Sequence, residues 1–303
     1  MNLNPNKTSF GRNETFNLRY SWLNKGLKEL NNNKDVFSAK EAPLILGVGK
    51  NMVNSIKYWL NAYQVIDATQ GSYEQTDFGK KLDKYDPYLE NAASLWLLHW
   101  KLCTNPDNAT FYYWFFNHFK KTKFTKIELL NDISDWLDGK GCRIVSPATL
   151  ERDALLLLKT FSTSSEQTKN FEELLENPFY SLNLLSKNTD GSFTTTYEYR
   201  DSLDFRILGH CLSEMFDANS NSDLFENNKK RTQMPVSEFL NESPSISKIF
   251  RINEVTFYQL LEELTSAYPN IFSFSDTAGQ KTIELKDPNL SPLFFIEELY
   301  TTS

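Results

Sequence analysis

Leu46-Gly47-Val48-Gly49-Lys50-Asn51-Met52-Val53-Asn54-Ser55-Ile56-Lys57-Tyr58-Trp59-Leu60 is the stretch whose pattern decides the architecture. Val48, Met52, Val53, Ile56, Trp59 and Leu60 recur at the spacing of a helix with one buried face, and Lys50, Asn51, Asn54 and Lys57 fall opposite. That is the pattern of a recognition helix. Working outward, Ser38 precedes Ala39-Lys40-Glu41-Ala42-Pro43-Leu44-Ile45-Leu46, with Glu41 placed for a capping box and Gly47 placed to turn the chain. On the other side, Val65-Ile66-Asp67 and Tyr73-Glu74-Gln75-Thr76 flank a polar loop and predict a small hairpin, or wing. The order is helix, glycine turn, helix, wing.

The rest of the chain repeats this plan. Residues 124–137 and 146–161 predict a second helix-turn-helix, its later helix capped by Ser146 and opened by Pro147. Its outward side is expected to carry Thr149, Arg152 and Lys159, together with Glu151 and Asp153. A third copy follows in 234–303, where Ile271-Phe272-Ser273-Phe274 and Thr282-Ile283-Glu284-Leu285 alternate as strands around Asp276-Thr277-Ala278-Gly279-Gln280. Here the second helix points Glu254, Gln259, Glu262 and Glu263 outward, a face that repels phosphates. Between the first two modules, residues 92–102, expected to start at Pro87, and 111–119 are apolar all round, which predicts a buried aromatic helical hairpin.

The expected fold is therefore mainly α with small β wings: tandem winged-helix-like modules around a central aromatic hairpin. Domains are expected at 1–122, 123–216 and 234–303, with a polar linker over 217–233. Ahead of the first module, residues 9–26 read either as a helix capped by Asn13 and packed on that module, or as a polar site lined by Arg12, Glu14 and Arg19. Both readings stand at this level.

Charge divides the chain. Residues 1–199 hold 23 Lys plus Arg against 23 Asp plus Glu, whereas residues 200–303 hold 9 against 16, so the acidic excess belongs to the last third. Nucleic-acid contact needs a local basic face, which places it in the first two thirds. The candidates are Lys50, Asn51, Asn54 and Lys57 for a groove and Lys80, Lys81, Thr149, Arg152 and Lys159 for phosphates. No apolar run is long enough to cross a bilayer, and residues 1–13 lack the apolar core of a signal peptide. A cytoplasmic protein without membrane contact is expected.

The sequence carries no recognisable catalytic constellation. Cys103, Cys142 and Cys211 match neither a disulfide framework nor a zinc site. His99 and His118 sit inside the apolar aromatic helices, and His210 adjoins Cys211 in an amphipathic helix, where sequence neighbours point to different sides, so each reads as a core or boundary histidine. Gly47-Val48-Gly49-Lys50 lacks the spacing of a phosphate loop. No cofactor, metal or catalytic residue is expected.

At Phe10-Gly11-Arg12-Asn13-Glu14-Thr15-Phe16, at Leu46-Gly47-Val48-Gly49-Lys50-Asn51-Met52-Val53 and at Leu95-Trp96-Leu97-Leu98-His99-Trp100, the chain resembles a family of uncharacterised bacterial proteins associated with DNA phosphorothioation. Further matches at Thr149-Leu150-Glu151-Arg152-Asp153 and Asp276-Thr277-Ala278-Gly279 extend the resemblance over nearly the whole length. The family pattern carries His-Glu-Thr-Phe where this chain has Asn13-Glu14-Thr15-Phe16. The resemblance implies a place among DNA sulfur-modification and anti-phage defence genes, and no known reaction. Two functions are carried forward. One is a non-catalytic, DNA-directed accessory protein whose partners are DNA, phosphorothioated or not, and other proteins of the modification or defence complex. The other is a protein-interaction scaffold without direct DNA contact. A third reading, an enzyme using Glu14, rests on the polar N-terminal motif alone.

Overall fold

Local sequence explains most of the elements in the computed structural model, which describes residues 3–69, 71–164, 176–220 and 231–302. Two compact units result, 2–196 and 197–303. The chain is mainly α-helical with small sheets.

In the first unit, α1 (Tyr20–Asn32) buries Trp22, Leu23, Leu27 and Leu30. The helix expected from Asn13 starts seven residues later, because residues 9–19 are held in an irregular path by contacts described below. After a 3-10 turn at Val36–Ser38 comes α2 (Ala42–Leu46), only five residues long and with Glu41 itself at the N-cap position. The capping box expected from Ser38 and Glu41 does not form, since the helix begins four residues after Ser38. Gly47 adopts φ 60°, the left-handed conformation that closes a helix at least cost for a residue without Cβ. Then α3 (Lys50–Ala62) buries Val53, Ile56, Trp59 and Leu60.

The hairpin that follows, β1 (Ile66–Thr69) and β2 (Ser72–Gln75), is antiparallel. Thr76 accepts from the Gly79 amide and so caps α4 (Asp77–Tyr85). Residues 86–90 form a turn and not the expected first helical turn. The Asp86 carboxylate accepts from the Glu90 and Asn91 amides, and α5 (Ala92–Cys103) starts behind Asn91. With α6 (Thr110–Asn117) it makes the buried aromatic hairpin that the composition predicts. His99 lies inside it, 4.5 Å from the Phe116 ring and 5.3 Å from Phe161.

Beyond β3 (Lys123–Phe124), a capping box between Thr125 and Glu128 opens α7 (Lys126–Gly139), and Ser146 caps α8 (Pro147–Phe161). Three short strands, β4 (Ser162–Ser164), β5 (Leu185–Lys187) and β6 (Phe193–Thr194), complete a four-stranded sheet in the order β3-β6-β5-β4. A 3-10 turn at Pro178–Leu182 puts Phe179 flat against Tyr63, 5.3 Å between centroids.

The second unit begins with α9 (Phe205–Ser220), which packs against two later helices of this unit. The amphipathic helix near residue 205 thus belongs with the C-terminal elements and not with the second module, where sequence alone places it. Most of the expected linker over 217–233 falls on 221–230, outside the described residues; 217–220 continue α9. Next come β7 (Gln233–Pro235), α10 (Val236–Asn241), α11 (Ile246–Phe250) and α12 (Glu254–Ala267). The strands β8 (Phe272–Thr277) and β9 (Gln280–Leu285) then form a sheet in the order β7-β9-β8, and α13 (Phe294–Thr301) ends the unit. Gly209 on α9 lets Phe295 and Leu264 approach so closely that a Cβ there would lie 2.8 Å and 2.9 Å from them. Among the described residues, no helix is long and apolar enough to cross a membrane.

Candidate functional site

The N-terminal loop is the organising feature of the polar face on the first unit. Its anchor is Asp153 on α8, which is only 3% exposed and not on the outward side where helical spacing alone puts it. The Gly11 amide donates to Asp153 Oδ2 at 2.8 Å, and Asn13 Nδ2 donates to Oδ1 at 2.8 Å. Burial pushes this carboxyl above its ordinary value, and the Gly11 and Asn13 donors with the Arg152 charge pull it back down. Gly11 has φ 66° and sits so close to α8 that an added Cβ would lie 3.0 Å from the Thr149 methyl.

From Asn13 onward the loop is tied to α3. Asn13 Oδ1 accepts from the Thr15 amide at 3.1 Å, and Trp59 Nε1 donates to the Phe16 carbonyl at 2.8 Å. Between these ties Glu14 and Thr15 both take positive φ, 50° and 64°. That conformation is costly for a β-branched residue and persists only where surrounding contacts over-determine it. The result is that Glu14 is aimed toward α3, with Asn54 Nδ2 3.5 Å from Glu14 Oε1.

These ties open a cleft of about 720 Å³ between the loop and α3. It is lined by Lys7, Arg12, Glu14, Asn54, Lys57, Tyr58, Asn61, Tyr73, Asp107 and Asn108, with the polar backbone around Ser9 and Gly11. Lys7 lies 4.0 Å from Asp107. Burial holds the Tyr58 hydroxyl well above the ordinary phenol range, and the nearby Asp153 charge adds to it, so Tyr58 is a neutral hydrogen-bonding group at physiological pH. The lining therefore offers three cations, several amide side chains and two carboxylates, Glu14 and Asp107. That is chemistry suited to a phosphate-bearing polar ligand.

Arg12 and Glu14, proposed from the N-terminal motif, and Asn54 and Lys57, proposed from the recognition-helix pattern, meet in this one cleft. Thr149 and Arg152 lie beside the loop at Gly11, with Arg152 Nη2 donating to Thr149 Oγ1 at 3.2 Å. The remaining candidates are placed elsewhere. Lys50 and Asn51 are exposed at the start of α3 and do not line the cleft. Lys80 pairs with Asp77 at 2.8 Å, Lys81 is half-buried on the same helix, and Lys159 is exposed further along α8. Arg19 is drawn away from the cleft into an ion pair with Glu176 at 2.7 Å and lies over the Trp22 ring. Helical patterning missed Tyr58 and Asn61, on α3 itself, and Lys7, Tyr73, Asp107 and Asn108, which reach the cleft from segments distant in sequence. Among the described residues no group of three or more His, Cys, Asp or Glu side chains is placed to hold a metal ion.

The fold and cleft thus define a mainly helical protein that presents a polar, mixed-charge surface from its N-terminal unit. The family described as "Protein of unknown function (DUF4007)" matches residues 10–300, and the chain belongs to it. Among solved structures it is similar to "Magnesium ion-bound SspB crystal structure", with 25% identity and a TM-score of 0.83. It is also similar to "SspB crystal structure", with 26% identity and the same TM-score; each likeness covers 96% of this chain and 88% of the other. No match was found among curated proteins.

Proposed function

We propose that this protein is a DNA-directed accessory component of a bacterial DNA phosphorothioation-type modification or anti-phage defence system, acting in the cytoplasm without catalysing a reaction itself. The observation that carries the reading is the convergence of Arg12, Lys57 and Lys7 with Asn54, Asn61 and Asn108 in one cleft beside α3. Cations hold phosphates, and carboxamides bond to phosphate, sugar or base edges. The similarity to SspB over 96% of the chain supports the same placing. In this reading α2, Gly47, α3 and the β1–β2 hairpin act as a winged-helix-like module, and the α10–α12 and β7–β9 elements repeat that plan in the acidic unit.

The test is anisotropy with a labelled duplex, with and without phosphorothioate linkages. The Arg12→Ala/Lys57→Ala double variant is expected to bind about tenfold or more weakly and to flatten the dependence of log K on log salt by about two units. Wild-type affinity and slope in that variant would remove DNA from the cleft and leave the scaffold reading, which its acidic C-terminal unit favours.

The magnesium ion of one similar structure favours a second reading, phosphodiester chemistry in the cleft. Glu14 and Asp107 are hard oxygen donors of the kind magnesium takes, one or two carboxylates completed by waters and phosphates. Magnesium-dependent nicking of supercoiled plasmid by the wild type, lost in Glu14→Gln, would replace the non-catalytic reading.

A further inference from the structure

A second groove, on the 197–303 unit, has a different chemistry. It spans about 450 Å³ between α12 and the β8–β9 hairpin. Tyr258, Leu261 and Glu262 line it from the helix, Phe274 and Asp276 from β8, and Lys281 from β9. Phe274 is 39% exposed, and Val255, on the neighbouring surface of α12, is 66% exposed. Tyr258 packs 5.8 Å from the Phe274 ring, and Lys281 lies over Tyr258 with its ammonium 4.4 Å from the centroid. The groove thus pairs an aromatic surface with carboxylates.

Among the described residues β8 is also an open edge, since the sheet order is β7-β9-β8. The β8–β9 loop is two residues, Ala278 and Gly279, both at positive φ, which is the geometry of a tight type I′ hairpin. In such a hairpin the closing pair, Thr277 and Gln280, exchanges both backbone hydrogen bonds, and the bonding alternates from there. Ser273, Ser275 and Thr277 therefore bond to β9. Phe274 and Asp276 turn their N–H and C=O groups to the open side. The same two residues line the groove with their side chains.

Natural edge strands are usually blunted by lysine, proline, a bulge or a cover. The register from Phe272 to Thr277 is continuous, without proline, lysine or bulge on β8. What lines and flanks the groove is acidic: Glu254, Glu262 and Glu263 on α12, and Asp276 on β8, with Lys281 already 3.9 Å from Glu254. The whole unit holds 9 Lys plus Arg against 17 Asp plus Glu. That field repels nucleic acid and attracts a basic chain.

We propose that β8 and this groove dock an extended basic segment of a protein partner by strand addition. Backbone groups of the segment pair with Phe274 and Asp276, apolar side chains lie on Phe274 and Tyr258, and lysines or arginines reach Glu262 and Asp276. The site is independent of the cleft on the other unit and stands whether or not that cleft binds DNA.

The experiment uses the full chain and fluorescence anisotropy with three probes: a short peptide alternating Lys and Val, one alternating Glu and Val, and a duplex DNA. The Lys–Val peptide is expected to bind and the Glu–Val peptide not. Glu262→Lys reverses a charge on an exposed helical position, and Asp276→Pro, read against Asp276→Asn as the control for the lost carboxylate, removes an outward N–H while leaving the β8–β9 bonds in place. Glu262→Lys and Asp276→Pro are each expected to weaken Lys–Val binding about tenfold, with melting curves confirming that both variants fold. No binding of the Lys–Val peptide, equal binding of the two peptides, or competition by the duplex for the same site overturns the proposal. So does loss with Glu262→Lys alone, which leaves attraction without strand addition.

Discussion

Asp153 shows how much one buried carboxylate can organise. It receives the two donors that hold the N-terminal loop, the segment that brings Arg12 and Glu14 to the cleft. Asparagine in its place offers one acceptor and turns an N–H toward a donor, so Asp153→Asn is expected to cost about 1–3 kcal/mol. The pH dependence follows from the direction of the shift. The folded value is raised, so the native state binds the proton more tightly than the unfolded chain. Its contribution to stability is complete below the unfolded value near about pH 4 and declines as pH rises through the higher folded value. The Asn variant has no such decline. Urea melts should therefore show the largest gap between wild type and variant in acid, narrowing toward neutrality; a gap that widens would contradict a raised folded value.

Among the elements, what could be read in advance is what depends on neighbours in sequence. α3, the Ser146 cap of α8 and the aromatic helices α5 and α6 follow from periodicity, capping chemistry and runs of buried residues. The path of residues 9–19 does not. It is fixed by Asp153, Trp59 and Thr160, the last of which donates to Asn17 at 3.0 Å, and none of these partners is within reach of a local rule. Helical spacing placed Asp153 on the outer face for the same reason: the loop that covers it comes from elsewhere. Asn54 and Lys57 could be found because they stand opposite a buried stripe; Lys7 and Asp107 could not.

Two substitutions probe elements directly. At Gly26, where α1 crosses α3, a Cβ would lie 2.6 Å from the Leu60 Cδ1 and 3.0 Å from the Ile56 Cγ2, both on buried side chains. An exposed helical Gly→Ala gains about 1 kcal/mol, but overpacking costs about 1–3 kcal/mol. Gly26→Ala is therefore expected to destabilise by up to about 2 kcal/mol, read as a lower midpoint in denaturant. At the start of α7, Thr125 Oγ1 accepts from the Glu128 amide at 3.3 Å and the Glu128 carboxylate accepts from the Thr125 amide at 2.8 Å. Thr125→Ala should cost about 1 kcal/mol in the same measurement, and an unchanged midpoint would show that the box contributes nothing.

Over the whole molecule, the uneven charge sets how the protein meets a polyanion. Residues 1–196 carry 23 Lys plus Arg against 22 Asp plus Glu, close to neutral, while residues 197–303 carry the acidic excess. Phosphate contacts in the cleft act only at short range, whereas repulsion by the acidic unit acts over a Debye length, about 30 Å at 0.01 M and about 8 Å at 0.15 M. Repulsion at a distance slows encounter more than it speeds departure. Replacing Glu254, Glu262 and Glu263, all exposed on α12, with glutamine should therefore raise the association rate for duplex DNA a few-fold at low ionic strength and leave the dissociation rate unchanged. The gain should vanish near physiological salt. Stopped-flow association at the two ionic strengths decides the matter. A change in dissociation rate instead would mean that α12 touches the duplex, and would move the nucleic-acid surface from the N-terminal unit to the acidic one.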